Sequence, residues 1–240
     1  MQPHKIVSQG EWMAAHKVHL AKEKEFTRMR DRLRAERLAL PWVRVDKTYE
    51  FDTPEGRKTL AELFDGRSQL AMYHFMLGPD WKQGCVGCSF GADHFDGANL
   101  HLQHHDVTFL AVSRAPLEKI EAYKKRMGWK FPWVSSFSSD FNYDFNVSFH
   151  KEDIKAGRAI YNYVPLDYEM DELHGTTAFY KDEKGDIFRT FSRYARGDED
   201  IMGTYMILDI MPKGRNESGT MDWVKRHDEY ESAERVQAAS

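Results

Sequence analysis

Leu70-Ala71-Met72-Tyr73-His74-Phe75-Met76-Leu77-Gly78-Pro79, followed after five intervening residues by Cys85-Val86-Gly87-Cys88, is the stretch that decides the fold. An almost continuous apolar run of strand length suits a central strand covered on both faces, and Gly78-Pro79 ends it. The two cysteines are the whole complement of the chain. Two cysteines placed at random among 240 positions fall three apart about one time in 120, so the spacing points to redox or metal chemistry. The count excludes a disulfide scaffold and a four-cysteine zinc site. In a first helical turn, residues three apart bring their Cα atoms to about 5–6 Å, within disulfide range. Unpaired N–H groups there favour a thiolate over a thiol. Cys85, at the outer end, is therefore the candidate nucleophile. Cys88, one turn inward, is the candidate resolving residue, attacking a mixed disulfide to release the product.

Beyond the cysteines, Gly91, Phe95, Ala98 and Leu102 share one face of a predicted helix. Residues 107–112 form a second buried-type strand. Pro116 opens a helix with Leu117, Ile120 and Met127 inward, closed by Gly128. Residues 131–149 carry seven aromatics in 19 positions, a pattern more typical of core than of a substrate pocket. Residues 176–181 and 187–194 read as strands joined by a hairpin at Asp182-Glu183-Lys184-Gly185-Asp186. Ile201, Tyr205 and Leu208 suggest a closing helix, and the tail after Pro212 is polar apart from Met221, Trp223 and Val224. Upstream, residues 11–40 read as one charged helix with Phe26, Met29, Leu33 and Leu40 at helical spacing, ended by Pro41. Val43, Val45, Tyr49 and Phe51 alternate as in a strand or hairpin. Leu60, Leu63 and Phe64 suggest a short helix stopped at Asp65-Gly66.

Strand–helix–strand alternation implies parallel strands, and the late hairpin adds antiparallel ones. This is the element order of the thioredoxin fold, with the cysteine pair between its second strand and second helix. The expected architecture is α/β: a central mixed sheet flanked by helices, with an N-terminal helical extension (1–40), a thioredoxin-like domain (41–240) and an aromatic-rich insertion at about 131–173.

Composition narrows the function. Lys+Arg 34 against Asp+Glu 38, a net of −4, argues against a nucleic-acid binder. No apolar stretch approaches the roughly 18 residues of a membrane span. The N-terminus shows no signal-peptide pattern, so the expected location is the cytoplasm. No Walker loop, dinucleotide fingerprint, HExxH or nucleophile elbow is present, and no cofactor is expected. Three readings compete for the cysteines. Dithiol–disulfide exchange with a thiol- or disulfide-bearing protein or small molecule is the first. A metal carrier or sensor using Cys85, Cys88 and a histidine is the second, since His94, His101, His104 and His105 follow closely; helix geometry carries His94 away from the pair, so no metal ligand is assigned. Peroxide reduction through a Cys85 sulfenate is the third. Lys82 is a further candidate to assist Cys85, and the N-terminal helix offers a surface for a second copy of the chain.

The sequence resembles an uncharacterised bacterial family of thioredoxin-like proteins, a domain of unknown function. The likeness rests on 73–81, Gly84-Cys85-Val86-Gly87-Cys88-Ser89, Asp93-His94, 112–116, 128–136 and 139–145, and extends to Tyr194-Ala195-Arg196-Gly197 and Pro212-Lys213-Gly214-Arg215. It covers nearly the whole chain and implies a thioredoxin-like fold without an activity. In thioredoxins a proline before the strand facing the cysteines helps hold an extended substrate. The matching segment here is His174-Gly175-Thr176-Thr177, so Gly175 and Thr176, with Trp81, are the expected substrate-binding residues. The peroxiredoxin pattern Pro-x-x-x-Thr-x-x-Cys is not met: Pro79 is six residues before Cys85, and Lys82 stands where threonine is expected. Peroxiredoxins use that threonine and an arginine to orient the peroxide.

Overall fold

The computed structural model describes residues 4–167 and 169–230; the first three residues of the stretch read for a leader lie outside them. The described residues form two compact units, divided between Trp42 and Val43. The first is helix α1 (Gln9–Leu38). Ser8 caps it: its hydroxyl accepts from the Glu11 backbone, and the Glu11 carboxylate accepts from the Ser8 N–H. This capping box satisfies two groups that the first turn leaves unpaired. The helix ends two residues before the expected boundary. Its apolar spacing does not produce a buried stripe, because no α1 residue is buried and Phe26 and Leu33 are 61% and 52% exposed. The cap and a Lys-, Arg- and Glu-rich composition of good helix formers sustain it instead.

In the second unit β1 (Val43–Arg44), β2 (Glu50–Thr53) and β3 (Gly56–Thr59) precede a 3₁₀ turn at Glu62–Phe64. Asp65, left-handed at φ 51°, stops that turn. Then come β4 (Gln69–His74), α2 (Val86–Ala92), α3 (Phe95–Gln103), β5 (Val107–Ser113), α4 (Leu117–Met127) and β6 (Trp133–Ser135). Two short helices, α5 (Phe141–Asp144) and α6 (Lys151–Lys155), and the small ladder β7 (Ile160–Tyr161) and β8 (Val164–Pro165) follow. The hairpin β9 (Gly175–Lys181) and β10 (Ile187–Tyr194), a 3₁₀ segment Ala195–Ile201, α7 (Gly203–Leu208) and a last 3₁₀ turn His227–Glu229 complete it.

The main sheet runs β1-β10-β9-β4-β5-β6-β2-β3. β4, β5 and β6 are parallel, and β9 and β10 run antiparallel. The block β10-β9-β4-β5-β6 is a thioredoxin-like mixed sheet, with α2 leaving the C-terminal end of the central strand β4. Register brings other residues to that same end: His74 pairs with Val112 and Gly175, and Gly175 with Tyr194. A site built there draws on four strands.

Strand parity separates the two faces. On one, Tyr73 and Phe109 meet Phe95 of α3, with ring centroids 5.1 and 4.7 Å apart. On the other, His74 stacks on Phe141, and Phe179 meets Phe145. The aromatic-rich segment is divided between the two faces, Phe131 meeting Phe95 on the first and Phe141 and Phe145 lying on the second; Phe131, Trp133, Phe141, Phe145 and Phe149 are buried, and Phe137 is exposed. His74 is buried and neutral, its pKa pushed down to about 3 by burial, with Nε2 3.0 Å from the Thr177 hydroxyl. The single helix expected through Leu102 is two helices. Asp93 accepts hydrogen bonds from the Trp129 indole and His227, and His94 is held by Thr204, so tertiary bonds break the ladder at this junction.

Candidate active site

The loop between β4 and α2 stays close to the sheet after the strand ends. Phe75 N–H donates to Val112 C=O, and Cys85 N–H donates to Met76 C=O at 3.0 Å. Gly84 is required where it stands: a side chain there would lie 2.6 Å from the Phe75 ring and 2.7 Å from the Tyr123 ring. Cys85 is the N-cap of α2, with φ −53° and ψ 138°. The following amides therefore point toward its sulfur instead of into a preceding turn.

The two cysteines are unlike in environment. Cys85 is partly exposed and Cys88 is buried; both are free thiols. The Cys85 thiol is pulled down to about 6, first by a hydrogen bond from Cys88 and then by the backbone amides of Cys88 and Gly87, against an opposing effect of burial. The positive form of His174 adds to the same direction. Burial pushes the Cys88 thiol up, and a charged Cys85 beside it pushes it further. Tyr73 hydrogen-bonds the Cys88 sulfur, and the Met76 N–H lies 3.5 Å from it. At neutral pH the pair holds one thiolate, on the outer sulfur, and one thiol that donates to it. A thiolate within reach of a disulfide, with a second thiol behind it, is the arrangement that thiol–disulfide exchange uses.

The remaining expected residues occupy the same end of the sheet in different ways. Trp81 lies in the loop: its indole closes over Gly78 beside Glu172, and its N–H is 3.4 Å from Asp171. A Gly175 side chain would meet Tyr194 at 2.6 Å and the Arg193 carbonyl at 2.9 Å, so packing against β10 already requires this glycine. Thr176 donates its hydroxyl to Asp198 at 2.7 Å, and it lines a mainly apolar hollow of about 200 Å³ with Ala71, Phe95 and Arg193. Lys82 is exposed. Among the described residues no three His, Cys, Asp or Glu side chains converge to hold a metal ion. His94 is bound to Thr204, and His101, His104 and His105 are exposed.

Several neighbours carry no sequence signal. His174, the imidazole that acts on Cys85, is 3.1 Å from the Ala195 carbonyl and 4.0 Å from Asp198. Asp198 is fully buried; it pairs with Arg193 at 2.9 Å, while its second oxygen has no hydrogen-bond partner. Glu172 is buried against Arg114 at 2.6 Å and Ser148 at 2.6 Å, and burial pushes its carboxyl up to about 7. These residues lie far from the cysteines along the chain, and His174 beside Gly175-Thr176 was the nearest available clue.

Residues 1–230 match the family described as bacterial protein of unknown function (DUF899). The chain belongs to this family. No curated protein matches it. Among solved structures it is similar to the peroxidoxin BcpB from Mycobacterium tuberculosis, at 13% identity over 66% of this chain and 91% of that one, TM-score 0.43. It is similar also to a PrxQ mutant from Xylella fastidiosa, at 16% identity over 66% and 88%, TM-score 0.42. A third is Prx1a from Plasmodium yoelii modified at its N-terminus, at 16% identity over 77% and 96%, TM-score 0.40. No helix among the described residues is long and apolar enough to cross a membrane.

Proposed function

We propose that this DUF899 protein is a thiol–disulfide oxidoreductase in which Cys85 attacks and Cys88 resolves. One observation carries the reading: two sulfurs within a helical turn have their acidities driven in opposite directions, the partly exposed one down and the buried one up. The Cys85 thiolate attacks one sulfur of a disulfide R–S–S–R′, forming Cys85–S–S–R and expelling R′S⁻. Cys88 then loses its proton and attacks the Cys85 sulfur, closing the intramolecular disulfide and releasing RS⁻. Two electrons pass from the dithiol to the substrate, and the reverse sequence oxidises a dithiol partner. Burial keeps Cys88 protonated until Cys85 gives up its charge to the mixed disulfide, which orders the two steps.

Two features weigh against peroxide reduction as the main role. Lys82, not a hydroxyl residue, precedes Cys85 by three positions. Arg114 and Arg193, at the same end of the sheet, are already paired with Glu172 and Asp198. The expected partners are proteins or small molecules bearing thiols or disulfides, with the cytoplasm as the place of work. The test is Cys88→Ser treated with glutathione disulfide. A stable mixed disulfide in Cys88→Ser, where Cys85 is the one remaining thiol, together with labelling of Cys85 ahead of Cys88 in the unsubstituted reduced protein, supports the reading; no adduct, or equal labelling of both positions, overturns it.

A further inference from the structure

The last described segment crosses the cysteine helix and is bonded to both of its ends. Met221, Trp223 and Val224 pack with Phe90 and Val86 of α2. The Met221 sulfur lies 2.8 Å from where a Gly87 side chain would begin, and the Cys85 sulfur lies 3.9 Å from that same point. At the far end His227 is 2.7 Å from Asp93. Arg126 of α4 anchors the segment through Asp228 and Glu229, at 2.7 and 3.2 Å. Between them Arg226, with only 7% of its surface exposed, reaches the loop just before the nucleophile.

Its guanidinium donates to the Gly84 carbonyl from Nη2 at 2.5 Å and from Nε at 3.2 Å. Nε also donates to the Tyr123 hydroxyl at 3.0 Å. Tyr123 and Ser89 hydroxyls are 2.8 Å apart, and Ser89 donates to the Cys85 carbonyl at 2.7 Å. One buried cation therefore holds both carbonyls that flank the Cys85 α-carbon, the first directly and the second through two hydroxyls. Its charge is matched by Glu229 at 3.0 Å, so its influence passes through geometry more than through field.

We propose that Arg226 is a positioning residue for Cys85, fixing the Gly84–Cys85 backbone so that the sulfur stays within reach of the Cys88 thiol and of the Gly87 and Cys88 amides. This rests on the reading of Cys85 as the attacking thiolate. An ordinary core arginine buried for packing would stabilise the fold without altering how Cys85 ionises. A positioning residue changes that ionisation, because hydrogen bonds to a charged acceptor weaken steeply with misalignment. The other groups that act on Cys85 are Cys88 and His174, and Tyr73 acts on Cys88; none of them is touched by a change at position 226.

The experiment follows the pH dependence of iodoacetamide alkylation at Cys85, mapped by peptide mass, in the full reduced protein and in Arg226→Met, Arg226→Lys and Tyr123→Phe, with circular dichroism to establish folding. The Cys85 midpoint is expected to rise by about one unit in Arg226→Met, roughly a ten-fold loss of thiolate at low pH. It should rise less in Arg226→Lys, which keeps the charge but one donor direction, and in Tyr123→Phe. A folded Arg226→Met with the unsubstituted protein's low midpoint overturns the proposal and leaves the functional reading standing. If Arg226→Met does not fold, Tyr123→Phe decides: a raised midpoint supports positioning and an unchanged one overturns it. An ordinary thiol midpoint in the unsubstituted protein defeats the functional reading, and the positioning role with it.

Discussion

Replacing Cys88 by alanine or by serine separates what lowers the Cys85 pKa. The hydrogen bond from the Cys88 thiol is the largest cause, ahead of the two amides. A hydrogen bond to a charged group contributes about 1.5–3 kcal/mol, and one pKa unit corresponds to about 1.4 kcal/mol. Cys88→Ala should therefore raise the Cys85 midpoint from about 6 by roughly one to two units. At pH 5 its thiolate population falls about ten- to hundred-fold. A more basic thiolate is also more nucleophilic, with a Brønsted slope of about 0.4–0.5 that recovers roughly three- to eight-fold. Alkylation by iodoacetamide should thus slow about three- to twelve-fold at pH 5 and quicken about three- to eight-fold at pH 9, where both proteins are fully ionised. The two rate curves cross. Cys88→Ser keeps a hydroxyl donor in the same place and should stay near the original curve. Stopped-flow or quenched alkylation from pH 4 to 9, with Cys85 identified by mass, reads all three. If the alanine variant keeps a midpoint near 6, or its rate ratio has the same sign at both pH values, the sulfur–sulfur hydrogen bond is not what lowers Cys85.

Three other changes test the surroundings. Gly175→Ala forces a methyl group against Tyr194 and the Arg193 carbonyl, and a urea titration should show a loss of about 1–3 kcal/mol; an unchanged midpoint would mean that β10 yields freely. Phe141→Ala removes a ring packed on Tyr49, Phe51, His74 and Phe145 and should cost about 3–5 kcal/mol in the same assay, whereas a loss below 1 kcal/mol would remove the aromatic segment from the core. Glu172, raised by burial to about 7 from a usual 4.5, holds a proton in the folded state that the unfolded chain has already released. Its contribution is largest below pH 4.5 and is lost as pH rises toward 7, by up to about 3 kcal/mol. Glu172→Gln should flatten this part of the stability–pH curve, measured by thermal melting from pH 4 to 8; the same slope in both proteins would show that the carboxyl is not the source.

The strands and the cysteine junction were legible because their causes are local. The apolar run at 70–77, the period-two hairpin strands around Asp182–Asp186 and the proline and glycine stops report which way neighbouring side chains face, and register follows from that. The spacing of Cys85 and Cys88 likewise carries its own geometry, since a helical turn brings any two such positions together. Even here tertiary bonds shifted boundaries: the helix after Cys88 breaks at Asp93 because Trp129 and His227 claim its carboxylate. The apolar spacing of α1 produced no buried residue along the helix. The helical turn itself supplies the thiol and amides that lower Cys85, whereas the burial that raises Cys88 was decided by the fold. His174, Tyr123 and Arg226 stand 34 to 142 residues from their contacts at the site or its supports, and nothing in a neighbour's sequence signals such a bond. Burial, which sets the acidity of Cys88 and Glu172, belongs to the packed chain: the dielectric around a side chain is a property of everything folded over it.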